Sequence, residues 1–475
     1  MSVQKEERVA SDELCFLSAV ELRHAYHRRD LSPVEVTEAI LARIEKHNPQ
    51  LTAFITVTPE IALRQAHEAE RAYAAGDAVA PLAGIPISIK DLTPTRGIRT
   101  TRGSLLEPDW VPEEDAPFVE RIYAAGAVLL GKTNTPELGW KGDSGNRLVG
   151  PTHNPWRHGL TAGGSSGGAG AAVAAGLGPL SQGSDGAGSI RIPAAFCGIV
   201  GFKPSFGLVP NYPRSAVGDL AHLGPMTRTV LDAALLFDVV AGADPRDRLS
   251  WSHAGTTVET LNQGVSGLRI AWSPDLGYAP VVPEVLALVE RAALRFSELG
   301  CDVEQVAMDL PYPADIIDLL WSSAMAGYAF GRLDQIRDRL DPGLVRVMER
   351  GAGVSAAAYT DAETRRAAYY HGMRQFMERY DLLLTPSLPI TAFTAGADRP
   401  DPPGTVNDDH LEWTPFTYPF NLTGQPAISL PCGFVDGLPV GLQIVGRWHD
   451  DATVLRAAAA FEAVAPWQHL RPPLD

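Results

Sequence analysis

Cysteine is scarce in this chain of 475 residues: Cys15, Cys197, Cys301 and Cys432, with no CxxC pair among them. That spacing excludes a disulfide framework and a thiolate metal site, and leaves buried reduced thiols as the expectation. Positive charge is in deficit as well. Forty Lys and Arg face 56 Asp and Glu, a formal net charge of −16, and no basic block stands out. Such a chain repels a phosphate backbone, so nucleic-acid binding is not expected. Long apolar runs are missing. No stretch reaches the roughly 18 uncharged apolar residues of a spanning helix. Met1 to Glu13 carries charges without an apolar segment, and together these point to a cytoplasmic protein with no membrane partner. The histidines, among them His153, His158 and His222, form neither an HExxH motif nor another ligand pattern, so no metal is expected.

What is present is an ordinary folded composition, 45% hydrophobic and 20% charged. The first ninety residues or so are helical in pattern. Ser32, Pro33 and Glu35 form a start signal in which Ser caps, Pro takes the first turn and Glu reaches back. Val36, Ile40, Leu41 and Ile44 add an apolar stripe, which Asn48-Pro49 is expected to close. A second helix is predicted from Pro59 to Ala75. The period then changes, and Leu82 to Lys90 reads as a strand that delivers Lys90 to its end. Helices follow at Phe118 to Ala125, Ser166 to Ala175, Val230 to Val240 and Val285 to Leu299. Strands alternate with them at Ala127 to Leu130, Leu268 to Trp272, Cys301 to Val306 and Asp381 to Pro386. This alternation predicts an α/β fold with parallel or mixed pairing. Leu310 to Arg379 reads as helical and irregular, and Thr391 to Thr414, rich in Pro, Gly, Asp and Thr, as a loop beside the site. No composition shift marks a domain boundary, and one wide sheet can absorb the length.

Two motif matches fail on context. Gly126 to Thr133 fits the GxxxxGK[ST] phosphate loop, but a predicted helix precedes it and its apolar spacer reads as a strand, so no bare loop remains to cradle a phosphate. Gly163-Gly164-Ser165-Ser166-Gly167 fits the GxSxG nucleophile elbow, yet here a loop leads into a helix and no recognisable Asp and His partners follow.

The chemistry concentrates in Thr161 to Pro193, which carries two clusters of small residues. Gly163 to Gly168 leads into a helix whose Gly and Ala surface permits close packing on other backbone. Gly183 to Ser189 ends in a serine and offers successive N–H groups able to stabilise an anion. A serine hydroxyl attacks only once a base takes its proton, and a lysine neutralised by burial can be that base. Lys90, at the end of an apolar strand, is placed for it.

In these contexts Lys90, Ser165 and Ser189 resemble the Ser-cisSer-Lys triad of the amidase signature family. Gly84 to Asp91, Gly131 to Asn134, Gly201 to Pro204, Phe420 to Ala427 and Gly437 to Gln443 resemble further family segments in family order. The likeness covers nearly the whole chain. It implies one amidase signature domain over 1–475, a large mixed twisted sheet covered by helices on both faces. Within it, 1–80 would supply N-terminal helices, 81–245 the catalytic core and 310–417 the variable substrate-facing segments.

The resemblance also implies roles. Ser189 is the nucleophile, Ser165 behind a cis Gly164-Ser165 peptide carries the proton, and Lys90 is the base. N–H groups of Gly186, Ala187, Gly188 and Ser189 form the oxyanion hole, and no metal or organic cofactor is required. Asp185 and Arg191 are expected to form an ion pair that fixes the loop. Where the family commonly has Asp-Thr-Gly-Gly-Ser or Asp-Ile-Gly-Gly-Ser, this chain has Asp185-Gly186-Ala187-Gly188-Ser189. Gly186 is therefore expected to leave more room beside the acyl carbon, and Ala187 to be strained if its position needs φ > 0. Gly163, Gly164, Trp140 and Trp413 are expected at the substrate, with Trp321, Tyr328 and Phe330 as further apolar walls. The likeness is to broad-specificity bacterial amidases, aryl acylamidases and urethanases. It implies hydrolysis of small-molecule amides, and of carbamates, by a monomer or homodimer. The alternative is the glutamine-hydrolysing amidase component of a Glu-tRNA amidotransferase, which works with a partner complex.

Overall fold

Pro86–Lys90 is buried at every position, the pattern of a strand covered on both faces. It is β2 of an eleven-stranded mixed sheet in the computed structural model, which describes residues 11–253, 255–400 and 411–474. The other strands are β1 (Phe54–Val57), β3 (Val128–Thr133), β4 (Leu180–Asp185), β5 (Val200–Lys203), β6 (His222–Thr227), β7 (Arg269–Trp272), β8 (Asp302–Gln305), β9 (Leu382–Pro386), β10 (Ala427–Val435) and β11 (Leu438–Gly446). Their spatial order is β1-β3-β2-β4-β6-β5-β10-β11-β9-β7-β8. β2 runs parallel to both β3 and β4, β7 runs parallel to β8 and β9, and the pairs between these two groups are antiparallel. Helices cover the sheet. One apolar cluster takes in Leu22 and Ile40 near the start, Ile87 and Leu129 in the sheet and Leu442 and Phe461 near the end.

Most predicted elements stand within a few residues of their expected bounds, and the exceptions have local causes. The helix that begins at Pro33 runs to Leu51, through Pro49. Pro49 gives up one main-chain hydrogen bond without ending the helix, and the stop comes from Thr52 in the left-handed region, its N–H donating to Asn48 O at 2.8 Å. Ser32 caps this helix by accepting from Val34 N at 3.0 Å, but its own hydroxyl turns to Glu70 rather than meeting a reach-back from Glu35. A full capping box occurs instead at Ser18 and Glu21. β1 interrupts the region read as helical: Phe-Ile-Thr-Val is a short run of aromatic and β-branched residues that pairs antiparallel with β3 at the sheet edge.

The spacer of the rejected phosphate loop is β3 itself. Lys132 on that strand is fully buried, and its Nζ donates to Thr93 O at 2.6 Å, Thr100 Oγ1 at 2.8 Å and Thr95 Oγ1 at 3.0 Å. The region from Leu310 resolves into helices Ala314–Tyr328, Pro342–Ala352 and Ala356–Met377. Residues 1–10 of the charged start, and 401–410 of the expected loop, lie outside the described residues. Among those described, no helix is long and apolar enough to cross a membrane.

Candidate active site

β2 carries Lys90 into the interior. Lys90 N–H donates to Gln182 Oε1 at 3.0 Å, which pins the strand end to β4. Its amine is completely buried and donates to three serine hydroxyls: Ser165 Oγ at 2.7 Å, Ser166 Oγ at 2.9 Å and Ser184 Oγ at 2.9 Å. Burial drives its pKa well below the usual lysine value, and the Asp185 charge opposes this only in part. Sequence reasoning missed Ser166 and Ser184 as lysine partners, although both stand inside the two small-residue clusters.

Ser165 follows a cis Gly164-Ser165 peptide. The helix Gly167–Ala174 begins just beyond it, and its small residues do what their size permits: a Cβ on Gly168 would lie 2.3 Å from Asn134 N, so only glycine lets the helix approach that backbone. Ser144 Oγ donates to Ser165 O at 3.1 Å and accepts from Gly167 N at 2.7 Å. Gly163 and Gly164 are buried, and the N–H of Gly163 donates to Thr161 Oγ1 at 2.9 Å.

The loop after β4 is held by one carboxylate. Asp185 Oδ1 and Oδ2 each accept from the Arg191 guanidinium at 3.0 Å, with both side chains inaccessible to solvent. Burial alone would raise the Asp185 pKa, but the Arg191 charge holds it well below the usual carboxylate range. Arg191 also donates to Thr417 O, Gln443 Oε1 and Asn421 Oδ1 at 2.7–2.8 Å, so strand, loop and C-terminal segments meet at one ion. Asp185 further accepts the N–H of Gly188 at 2.7 Å and of Ile190 at 3.1 Å. Gly188 therefore does not supply a free oxyanion donor as expected. The N–H groups of Gly186, Ala187 and Ser189 make no hydrogen bond among the described residues. The expected strain at Ala187 is also absent. The left-handed φ falls one residue later, on Gly188 at 127°, where a Cβ would in addition strike Thr417 Oγ1 at 2.4 Å. Ser189 is 6% exposed, its carbonyl accepts from Ser166 N–H at 3.2 Å, and its hydroxyl has no partner among the described residues.

A family model described as Amidase matches residues 35–455. The chain belongs to the amidase signature family. It is 42% identical over 469 residues to an acylamidase of Rhodococcus erythropolis, covering 97% of this chain and 98% of that protein. It is also 39% identical over 488 residues to a glutamyl-tRNA(Gln) amidotransferase subunit of Moorella thermoacetica, covering 97% and 99%. Among solved structures, a bacterial aryl acylamidase of the amidase signature family superposes with a TM-score of 0.89 at 33% identity over 95% of this chain and 97% of that one. A 6-aminohexanoate cyclic dimer hydrolase complexed with substrate does so with 0.87 at 31% over 97% and 99%. The family places this chain among amide-hydrolysing enzymes.

The walls of the amidase site differ from expectation at Gly186, at Trp413 and at Tyr328 and Phe330. A Cβ on Gly186 would lie 2.9 Å from Trp321 Cζ3 and 3.0 Å from Val217 Cγ2, so the room left by glycine is filled by an indole ring. Trp140 is buried in the same apolar cluster as Ala187 and Trp321. Trp413 is not: it packs behind Gly142, stacked on Phe196 at 6.0 Å and edge-on to Phe393 at 5.0 Å, in a separate cluster with Ile192 and Leu388. Tyr328 and the 89%-exposed Phe330 line a cavity of about 890 Å³ that no triad residue reaches.

Proposed function

We propose that this amidase is a free-standing hydrolase of aryl and related small amides, and of aryl carbamates by the same route, working through an acyl-enzyme on Ser189. The observation that carries the reading is the contact of a fully buried, pKa-lowered Lys90 amine with Ser165 Oγ at 2.7 Å, beside Ser189, whose own N–H and hydroxyl are unengaged among the described residues. The acylamidase relatives support the aryl amide class.

Neutral Lys90 takes the Ser165 proton as Ser165 takes that of Ser189, once the Ser189 hydroxyl turns toward it. The Ser189 oxygen bonds to the carbonyl carbon, and the carbonyl oxygen gains the electron pair facing the N–H groups of Gly186, Ala187 and Ser189. Collapse breaks the C–N bond, and the proton held by Lys90 returns through Ser165 to the leaving nitrogen. Water then cleaves the ester by the same relay. A carbamate is attacked at the same carbonyl carbon, and its turnover needs that shared chemistry rather than extra room at Gly186.

Wild type and Ser189→Ala are compared on an aryl amide, an aryl carbamate and glutamine, following amine or ammonia release. Aryl-amine release by wild type alone, reduced by at least about 10³-fold in Ser189→Ala, is the expected result. Turnover of glutamine alone would overturn the free-standing reading in favour of an amidotransferase component.

A further inference from the structure

The wall beside Gly186 is thin. Val217, within 3.0 Å of the Gly186 Cβ position, also lines the cavity of about 890 Å³, and so does Leu320, the neighbour of Trp321. Trp321 is 3% exposed and is not part of that lining. The ring and the valine thus stand between the catalytic loop and a volume within the roughly 300–1,000 Å³ range of pockets that enclose drug-sized ligands.

Beyond the partition the lining is largely small and apolar, with Ala324, Gly327, Met348 and Ala352 among it. Its Arg366 is already matched by Asp219 at 3.0 Å and Glu363 at 3.7 Å, which leaves the exposed Arg214 as its remaining charge. The helix bearing Trp321 cannot retreat, because it rests on the helix Pro342–Ala352 so closely that a Cβ on Gly351 would fall 1.9 Å from Ser322 O.

We propose that Trp321 and Val217 form a partition that limits the length of the substrate group held beside Gly186, and that the cavity behind them is a latent extension of the site suited to a linear apolar chain. This rests on Ser189 being the nucleophile of the proposed reaction.

The test labels Ser189 with alkyl fluorophosphonates, in which the serine oxygen bonds to phosphorus and fluoride leaves. Ethyl and dodecyl probes are compared on wild type, Trp321→Ala, Trp321→Leu and Val217→Ala by intact mass against time. Wild type should favour the ethyl probe, and the dodecyl-to-ethyl rate ratio should rise tenfold or more in the partition variants. Should Trp321→Ala fail to fold, Trp321→Leu and Val217→Ala carry the same comparison. A ratio within twofold of wild type in every folded variant, with the ethyl probe still reacting, would overturn the partition. No labelling of wild type by either probe would overturn the assignment of Ser189 instead, so the two failures are told apart.

Discussion

Lys90 and Lys132 stand on adjacent parallel strands, with Lys132 opposite Ile89, and both amines are wholly buried. Burial lowers both pKa values, Lys132 to about 8 with Asp91 and Asp115 opposing the fall. Their partners differ. Lys132 donates to a carbonyl, which only accepts, and to two threonine hydroxyls that tie down the loop after β2. Lys90 meets three serine hydroxyls, of which Ser166 spends its own proton on Ser184 O at 3.1 Å while Ser165 Oγ donates to no other group among the described residues, and the nearby Asp185 is already matched by Arg191. The same residue type in nearly the same place thus makes a strut in one cage and, in the proposed reaction, a base in the other. Both threonine hydroxyls spend their protons on carbonyls, Thr95 on Thr93 O at 3.2 Å and Thr100 on Ile98 O at 3.1 Å, so what decides is whether a partner hydroxyl keeps a proton to give.

The largest effect that would break this contrast is on rate. Lys90→Met should lower kcat/KM for the best amide by about 10²–10⁴-fold with the smaller loss of melting temperature, since it strands no carbonyl and Ser166 Oγ keeps its bonds to Ser184 O at 3.1 Å and Ser184 N at 3.2 Å. A variant that keeps the rate but loses stability would reverse the assignment. Lys132→Met should do the opposite. It removes the amine that ties Thr93 O, Thr95 Oγ1 and Thr100 Oγ1 together, leaving Thr93 O with the Thr95 hydroxyl alone, so urea denaturation should show a loss of about 1–3 kcal/mol, with kcat/KM changed only a few-fold. The smallest effect sharpens the contrast. Activity should rise with pH as Lys90 loses its proton, because only the neutral amine accepts one. Ser184→Ala deletes an acceptor that favours the ammonium form, so the acidic limb of the rate profile should move to lower pH, by about one unit or less. A shift to higher pH would show that the Ser184 hydroxyl donates to the neutral amine instead.

Much of this was legible along the chain. β2 announces itself through its β-branched residues, and Lys90, Ser165 and Ser189 stand in segments whose wording carries the family likeness. The edge strand β1 was not legible, because four residues between two Pro-led helices make too short a run to override the helical pattern around them. Other features depend on contacts distant in sequence. Ser166 and Ser184 become partners of Lys90 only when β2, β4 and the small-residue helix converge. Gly186 reads as vacant space until a ring from a helix near residue 321 fills it. The loss of the Gly188 donor follows from the turn by which Asp185 reaches three residues along its own loop.

The strand order has a consequence for how such enzymes diverge. Lys90 at the end of β2 and Ser189 just beyond β4 lie near one end of the sheet, whereas the chain leaves β8 and returns at β9 on either side of β7, at the other end. Everything between Gln305 and Leu382 is a single parallel crossover, and it meets the loop after β4 through the Trp321 ring and the apolar cluster that takes in Ala187. That crossover contributes none of Lys90, Ser165 and Ser189, so a change in its length or wording acts on the walls and leaves the residues of the proposed relay in place in the sequence. The walls beside the loop and the groups of the proposed relay thus occupy separate stretches of chain, so sequence can drift in one while the other is held fixed.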